Sequence, residues 1–340
     1  MEHSAVRNIL VIKLRAIGDV LLSTIVTKNL RLFFPQARIA YLTEPPSADV
    51  LKYNPFVNDV LIFDRKKMSG FDLIRMVRKE KFDLVLDLFG NPRTALVTRL
   101  SGASRRVGYR FSGRTYAYNT VVTPRGGEVH NTQFNLDALE AIDVAIQDRN
   151  IYFLAAPEDE QYVEAFLTAP NLRGRALLAV NTGGGWYTKR WGIEKFAALS
   201  DRLTERYGTL TVLTWGPGEH EETVRLQALL ARGAYVPPPT TLLQLGVLLR
   251  RCSAMISNDS GPMHIAAAVG TPVLGIYGPT NPLLQGPFGP QHLVVRNEPL
   301  ECLGCNLTAC PIGHPCMKDL SVDSVIACFE RLLAMNSITL

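Results

Sequence analysis

Short apolar runs recur along the chain, each closed by turn residues and followed by a segment with the helical period. In the first half these runs fall at about Asn8 to Leu14, Ala37 to Thr43, Asp59 to Phe63, Phe82 to Leu88 and Arg105 to Tyr109. Helical segments separate these runs, so the repeated βα units predict a parallel sheet with right-handed crossovers. A helix over Asn131 to Val144 and a short strand over Asn150 to Leu154 close this series. A helix from Pro157 to Thr168 and a polar turn at Pro170 to Gly174 then mark the interdomain connection, near residues 155 to 175. A second series follows, with strands expected at Ala176 to Asn181, Leu210 to Thr214, Ala254 to Ser257, Val273 to Tyr277 and Leu293 to Arg296. The expected architecture is α/β, with two Rossmann-like doubly wound halves, residues 1–165 and 166–340, facing a cleft; the last helix is free in this scheme to pack back on the first half.

The chemistry-bearing residues sit where strands meet helices. Late in the chain the run Met255 to Ser257 stops at Asn258-Asp259-Ser260-Gly261-Pro262-Met263-His264, where a capping serine and a proline open a helix that Gly270 ends. Such a helix start presents unpaired N–H groups and a positive dipole, a seat for a phosphate or diphosphate with His264 one turn in as an extra donor; taken alone, the motif is also simply a capped helix. Near the N-terminus, Lys13-Leu14-Arg15-Ala16-Ile17-Gly18-Asp19 carries a strand through a tight turn into an amphipathic helix that runs to about Phe34. Asp19 thus lies at a carboxyl strand end, where ligands bind in open α/β sheets, although a first-turn acid also serves as a plain cap. Only one Gly occupies this loop, so the Gly-x-Gly-x-x-Gly dinucleotide fingerprint is absent and an ordinary nicotinamide enzyme is disfavoured.

Two more junctions carry candidate ligands. In Asn181-Thr182-Gly183-Gly184-Gly185-Trp186-Tyr187-Thr188-Lys189-Arg190-Trp191, three glycines let a backbone approach a ligand, and Lys189 can place an ammonium on a phosphate oxygen. In Trp215-Gly216-Pro217-Gly218-Glu219-His220-Glu221-Glu222, a carboxylate past a strand end suits the two hydroxyls of a ribose. Glu219 is favoured by position, with Glu221 and Glu222 as alternatives.

Together, Arg15-x-x-Gly18-Asp19-Val20-Leu21, Lys189-Arg190-Trp191, Trp215-Gly216-Pro217-Gly218-Glu219 and Asn258 to His264 resemble glycosyltransferase family 9, the lipopolysaccharide heptosyltransferases. The resemblance spans about residues 8 to 330, and four motifs in order are more specific than any one. It implies a GT-B fold and metal-independent, inverting transfer from an ADP-heptose donor to an anionic lipid A and inner-core acceptor. It also implies that the Lys of Lys-x-Trp contacts the donor diphosphate. Where the family often carries Thr or Ser, this chain has Gly184 and Gly185, so backbone amides would serve there. On this reading Asp19 and Lys189 are catalytic: a carboxylate takes the acceptor proton, and charge on the leaving diphosphate is met by Lys189 and the Ser260 and Gly261 amides. Gly18, Thr182, Gly183, Gly184, Glu219, Asp259, Met263 and His264 complete the donor set, with Asp259 either orienting its loop or touching the donor.

Charge and cysteine content refine this picture. The chain of 340 residues has a net charge of +5 with clustered basic residues, including Arg65-Lys66-Lys67 and the acid-free stretch holding Arg105, Arg106, Arg110, Arg114 and Arg125. No nucleic-acid module accompanies them, so nucleic acid is the weakest reading of this charge and is not expected as a partner. Given the resemblance, Arg15, Arg105, Arg106, Arg110 and Arg114 are assigned to the acceptor, with peripheral contact to the inner membrane face; a solvated loop is the other reading. Met1 to Ala5 begins no apolar leader and no window suffices to span a bilayer, so a cytoplasmic protein is expected. Four of six cysteines cluster as Cys302-x2-Cys305-x4-Cys310-x5-Cys316, beside His314. The spacing suits a structural Zn²⁺ staple or a set of free thiols, and the resemblance implies that catalysis needs no cofactor. Two other classes remain open to the sequence: a GT-B nucleotide-sugar epimerase and a non-catalytic sugar-nucleotide binding protein.

Overall fold

The computed structural model describes residues 6–169, 172, 174–298 and 300–340. Residues Met1 to Ala5, and Pro170, Asn171 and Arg173 of the expected polar turn, lie outside the described residues. The chain divides into two compact units, the first ending at Leu154 and the second starting at Ala155.

The first unit runs β1 (Asn8–Ile12), α1 (Ile17–Phe33), β2 (Arg38–Thr43), β3 (Asp59–Ile62), α2 (Gly70–Lys79), β4 (Leu84–Asp87), α3 (Pro92–Leu100), β5 (Arg105–Tyr109), β6 (Thr120–Val122) and α4 (Asn131–Glu140). All strand pairs are parallel, in the order β3-β2-β1-β4-β5-β6. Ile9 to Ile12 are wholly buried, each contributing about 1.5–3 kcal/mol from removal of apolar surface. On one face Leu10, Ile12, Leu42 and Val85 form a core with Leu73 and Val77 of α2 and Val97 of α3. α1 packs against α4.

No strand forms at Asn150 to Leu154, contrary to expectation. The backbone donors there are taken by α1 side chains instead: Gln147 and Asp148 N–H donate to Asn29 Oδ1, and Tyr152 N–H donates to Thr24 Oγ1. β6 is an element the apolar pattern does not announce, being three residues long and half-buried.

The second unit comprises α5 (Pro157–Leu167), β7 (Leu177–Asn181), α6 (Ile193–Tyr207), β8 (Leu210–Leu213), α7 (His220–Leu229), α8 (Leu242–Arg250), β9 (Ala254–Asn258), α9 (Gly261–Ala268), β10 (Val273–Ile276), α10 (Pro282–Gln285), β11 (Leu293–Val295), α11 (Pro315–Lys318) and α12 (Val322–Met335). Its sheet is parallel in the order β11-β10-β9-β7-β8. α5 packs on α8, and α12 packs on α6, β10 and β11, where Val325, Phe329 and Leu332 enter the core. Each sheet therefore reverses its winding once, at β1/β4 in the first unit and at β7/β9 in the second. Loops after the strands flanking such a reversal diverge and leave a crevice. These loops carry the residues described next.

Candidate active site

In the first unit, Asp19 occupies the third position of α1, immediately beyond the carboxyl end of β1. Its Oδ2 accepts the Ala16 N–H at 3.0 Å, satisfying one of the donors a helix start leaves open. Its Oδ1 accepts from Asn131 Nδ2 at 2.9 Å, so the first residue of α4 fixes the carboxylate rotamer. Below it, Lys13 is buried and donates from Nζ to Leu88 O at 2.9 Å. Burial depresses the Lys13 pKa, and the nearby negative charges of Asp19 and Asp87 oppose that shift. Asp87 at the end of β4 is fully buried, which raises its pKa against the bonds it accepts from Gly90 N–H, Tyr118 OH and Phe89 N–H. Sequence reasoning missed Asn131 and Asp87 and gave Lys13 no role. A lysine inside one apolar run and an aspartate ending another were the available signals, whereas nothing marked Asn131.

The arginines assigned to the acceptor do not form one patch. Arg105 and Arg106 begin β5, whereas Arg110 and Arg114 follow its end, so the strand separates Arg106 from Arg110 by about 13 Å. Because the strands are parallel, Arg15, Arg110 and Arg114 share the sheet edge with Asp19, and Arg105 and Arg106 lie at the opposite edge. Arg106 is a structural clasp, donating to Ala103 O at 2.6 Å and Ala117 O at 3.1 Å. Arg114 donates to Gly90 O at 2.9 Å and lies against the Phe111 ring, while Arg15 and Arg110 are exposed.

In the second unit, the loops after β7, β8 and β9 touch one another. A Cβ at Gly183 would meet Glu219 Oε1 at 2.4 Å, so this glycine makes room for the carboxylate. Glu219 also accepts the Gly216 N–H at 2.9 Å. Lys189 donates to Asp259 Oδ2 at 2.6 Å beneath the Trp186 ring, and Thr280 Oγ1 donates to the same oxygen at 2.8 Å. Asn258 Nδ2 donates to Thr182 O at 2.7 Å, which ties the glycine loop to the start of α9. Glu222, by contrast, pairs with Arg190. Ser260 caps α9, accepting the Met263 N–H. Thr182, Gly183, Gly184, Lys189, Glu219, Asp259, Ser260 and Gly261 thus gather at one switch point. Met263 does not belong with them through its side chain: it is fully buried, with Sδ accepting from Tyr277 OH. His264 is also buried, within electrostatic reach of His292.

Two clusters at strand ends, one with a fixed carboxylate and one with a cation, a carboxylate and a helix start, suit a reaction of an anionic nucleotide donor. Comparison with known proteins decides the class. The sequence profile of glycosyltransferase family 9 (heptosyltransferase) matches residues 71–314. The chain belongs to this family. Lipopolysaccharide heptosyltransferase 3 of Escherichia coli K12 is 28% identical over 339 residues, covering 93% of this chain and 95% of that one. The glycosyltransferase family 9 protein of Veillonella parvula has the same fold, with a TM-score of 0.84 at 24% identity over 96% of this chain and 97% of that one. The Escherichia coli heptosyltransferase WaaC, solved with ADP, superposes with a TM-score of 0.74 at 20% identity, over 96% and 99%. The protein is a glycosyltransferase of the GT-B fold class, and the epimerase and non-catalytic readings fall away.

For the cysteine cluster of this glycosyltransferase the sequence left a structural Zn²⁺ staple and a set of free thiols both open. Among the described residues, no group of three or more His, Cys, Asp or Glu side chains is arranged to hold a metal ion. Cys305 is exposed and Cys316 is buried, and all four are free thiols. Burial, with the neighbouring Cys302, Cys305 and Cys310, pushes the Cys316 thiol up to about 11. His314 turns its ring to the Thr188 carbonyl and its N–H to Cys310 Sγ. The segment therefore braces the Lys189 loop from behind. No described helix is long and apolar enough to cross a membrane.

Proposed function

We propose that this glycosyltransferase moves a heptose from an ADP-heptose donor to the anionic inner core of a lipid A-based acceptor, by direct displacement with inversion and without a metal ion. The observation that carries the reading is the convergence of Gly183, Lys189, Glu219 and Ser260 at the β7/β9 switch point. Lys189 and the first amides of α9 receive the diphosphate, and Glu219 accepts the ribose hydroxyls. The similarity to lipopolysaccharide heptosyltransferases, and to WaaC solved with ADP, supports the choice of sugar, acceptor and base.

In the reaction, an acceptor hydroxyl attacks the anomeric carbon from the face opposite the diphosphate. The C–O bond to the diphosphate breaks as the new one forms, in a transition state with oxocarbenium character. The hydroxyl proton passes to Asp19, which Asn131 and the Ala16 N–H hold in one rotamer. Charge building on the leaving diphosphate is met by Lys189 and the α9 dipole in place of a cation. Asp259 is committed to Lys189 and Thr280, so it orients the loop rather than ligating a metal. Arg15, Arg110 and Arg114 receive acceptor phosphates or carboxylates at the Asp19 edge. The protein acts in the cytoplasm, at the inner membrane face. A thermal-shift series with ADP, UDP, GDP and CDP tests the donor assignment: ADP should give the largest rise in Tm. A larger rise with another base would replace adenine.

A further inference from the structure

The segment 65–81 holds seven Lys and Arg against two acids, a net charge of +5 equal to that of the whole chain. The remainder of the molecule is thus electrically balanced, and the excess cation sits on α2 and the loop before it. α2 is sharply two-faced: Leu73 and Val77 enter the core, while Phe71, Arg75, Arg78 and Lys79 stand at i, i+4, i+7 and i+8 on an exposed stripe. Phe71 is 73% exposed, far from the burial an aromatic ring ordinarily finds. Of the two acids, Asp72 is bonded to Ser69 at the start of α2 and has Arg75 of the stripe within electrostatic reach, and Glu80 pairs with Arg38 at 3.0 Å. Lys66 and Lys67 stand exposed just ahead of the helix.

The start of α2 follows the carboxyl end of β3, so Phe71 lies at the same edge of the sheet as Asp19, Arg110 and Arg114. Lys67 lies 3.6 Å from Asp64 and Arg65 pairs with Glu44, yet cations still outnumber acids around the exposed ring, and such a combination fits one kind of surface. The ring enters the boundary between headgroups and acyl chains, and the cations meet lipid phosphates. We propose that the outer face of α2, Phe71 with Lys66, Lys67, Arg75, Arg78 and Lys79, docks this protein on an anionic lipid bilayer. The inference rests on the proposed lipid-borne acceptor for its choice of partner, and it gives that acceptor a direction of approach: the Asp19 edge turns toward the membrane.

Vesicle sedimentation without donor or acceptor separates this inference from the transfer reaction, since either can fail alone. The full-length protein should pellet with phosphatidylcholine vesicles containing phosphatidylglycerol, stay in solution with phosphatidylcholine alone, and be released by salt. Each cation removed should weaken partitioning by about fivefold, the equivalent of about 1 kcal/mol. Arg75→Glu/Arg78→Glu/Lys79→Glu and Phe71→Ser should therefore stay in the supernatant. Pelleting of these variants at the wild-type level, or no preference of the wild type for anionic vesicles, would overturn the proposal. Phe71→Trp supplies a reading that does not depend on charge reversal being tolerated: its emission should move to the blue only with anionic vesicles, and unchanged emission would also overturn it.

Discussion

Lys189 Nζ and Asp259 Oδ2 lie 2.6 Å apart, both side chains largely buried, at the point where the diphosphate is proposed to sit. The ammonium must then be shared between Asp259 and the incoming phosphates. Asp259→Asn leaves Lys189 without its counter-charge, so the ligand-free protein should lose roughly 1–3 kcal/mol. ADP should restore more stability to this variant than to the wild type, because no carboxylate competes for the cation. Thermal unfolding with and without ADP measures both effects. A smaller ADP increment in Asp259→Asn would instead make Asp259 a direct donor contact. Lys189→Ala should lower kcat by about 10²–10³, the usual cost of one charge-stabilising donor.

The bond from Asn131 to Asp19 sets a second expectation. Asn131→Ala frees the carboxylate rotamer without removing the carboxylate, so kcat should fall by about 10- to 100-fold. The donor KM should stay unchanged, since Asn131 is proposed to serve the other substrate's site. Steady-state kinetics at saturating acceptor test this split, and a rise in donor KM with constant kcat would contradict it.

The arginines should separate by position. Arg110→Ala and Arg114→Ala should raise the acceptor KM with donor KM constant. Arg106→Ala should instead cost about 1–2 kcal/mol of stability from lost bonds to Ala103 and Ala117, with acceptor KM unchanged. An equal effect of all three on acceptor KM would place the acceptor elsewhere.

His292 supplies a pH dependence. Its Nδ1 accepts the Val273 N–H, and burial lowers its pKa from 6.5 to about 4. Between these values the unfolded chain binds more protons than the folded one, so stability is present above pH 6.5 and is lost as the pH falls toward 4. Denaturant unfolding should show roughly 2–3 kcal/mol less stability from this group at pH 4.5 than at pH 7. His292→Asn, which keeps an acceptor for Val273, should flatten that part of the profile. An unchanged slope in the variant would assign the acid sensitivity to other groups.

Much of this was legible in the chain. β1, β2, β7 and β9 are parallel strands covered on both faces, so they read as unbroken apolar runs with boundaries close to those observed. The switch-point loops were legible because Gly, Asp and Ser-Gly-Pro at strand ends have a local cause. What escaped depends on distant partners. Asn131 reaches Asp19 across 112 residues of sequence, and the segment near Tyr152 forgoes a strand because Asn29 and Thr24 offer it acceptors. The division of Arg105 and Arg106 from Arg110 follows from strand direction, which counting charges along the chain conceals. Met263 sits in the motif proposed to hold the donor, yet its side chain belongs to the core with Tyr277.

The most direct measurement is mass analysis of a heptose-free lipid A core incubated with ADP-heptose and the wild-type protein or Asp19→Asn. The wild type should add one heptose and release an equal amount of ADP. Asp19→Asn should still bind ADP and transfer about 10²–10⁴-fold more slowly, the loss expected for a missing general base. An unchanged acceptor with the wild type, or near-normal transfer by Asp19→Asn, would contradict the account.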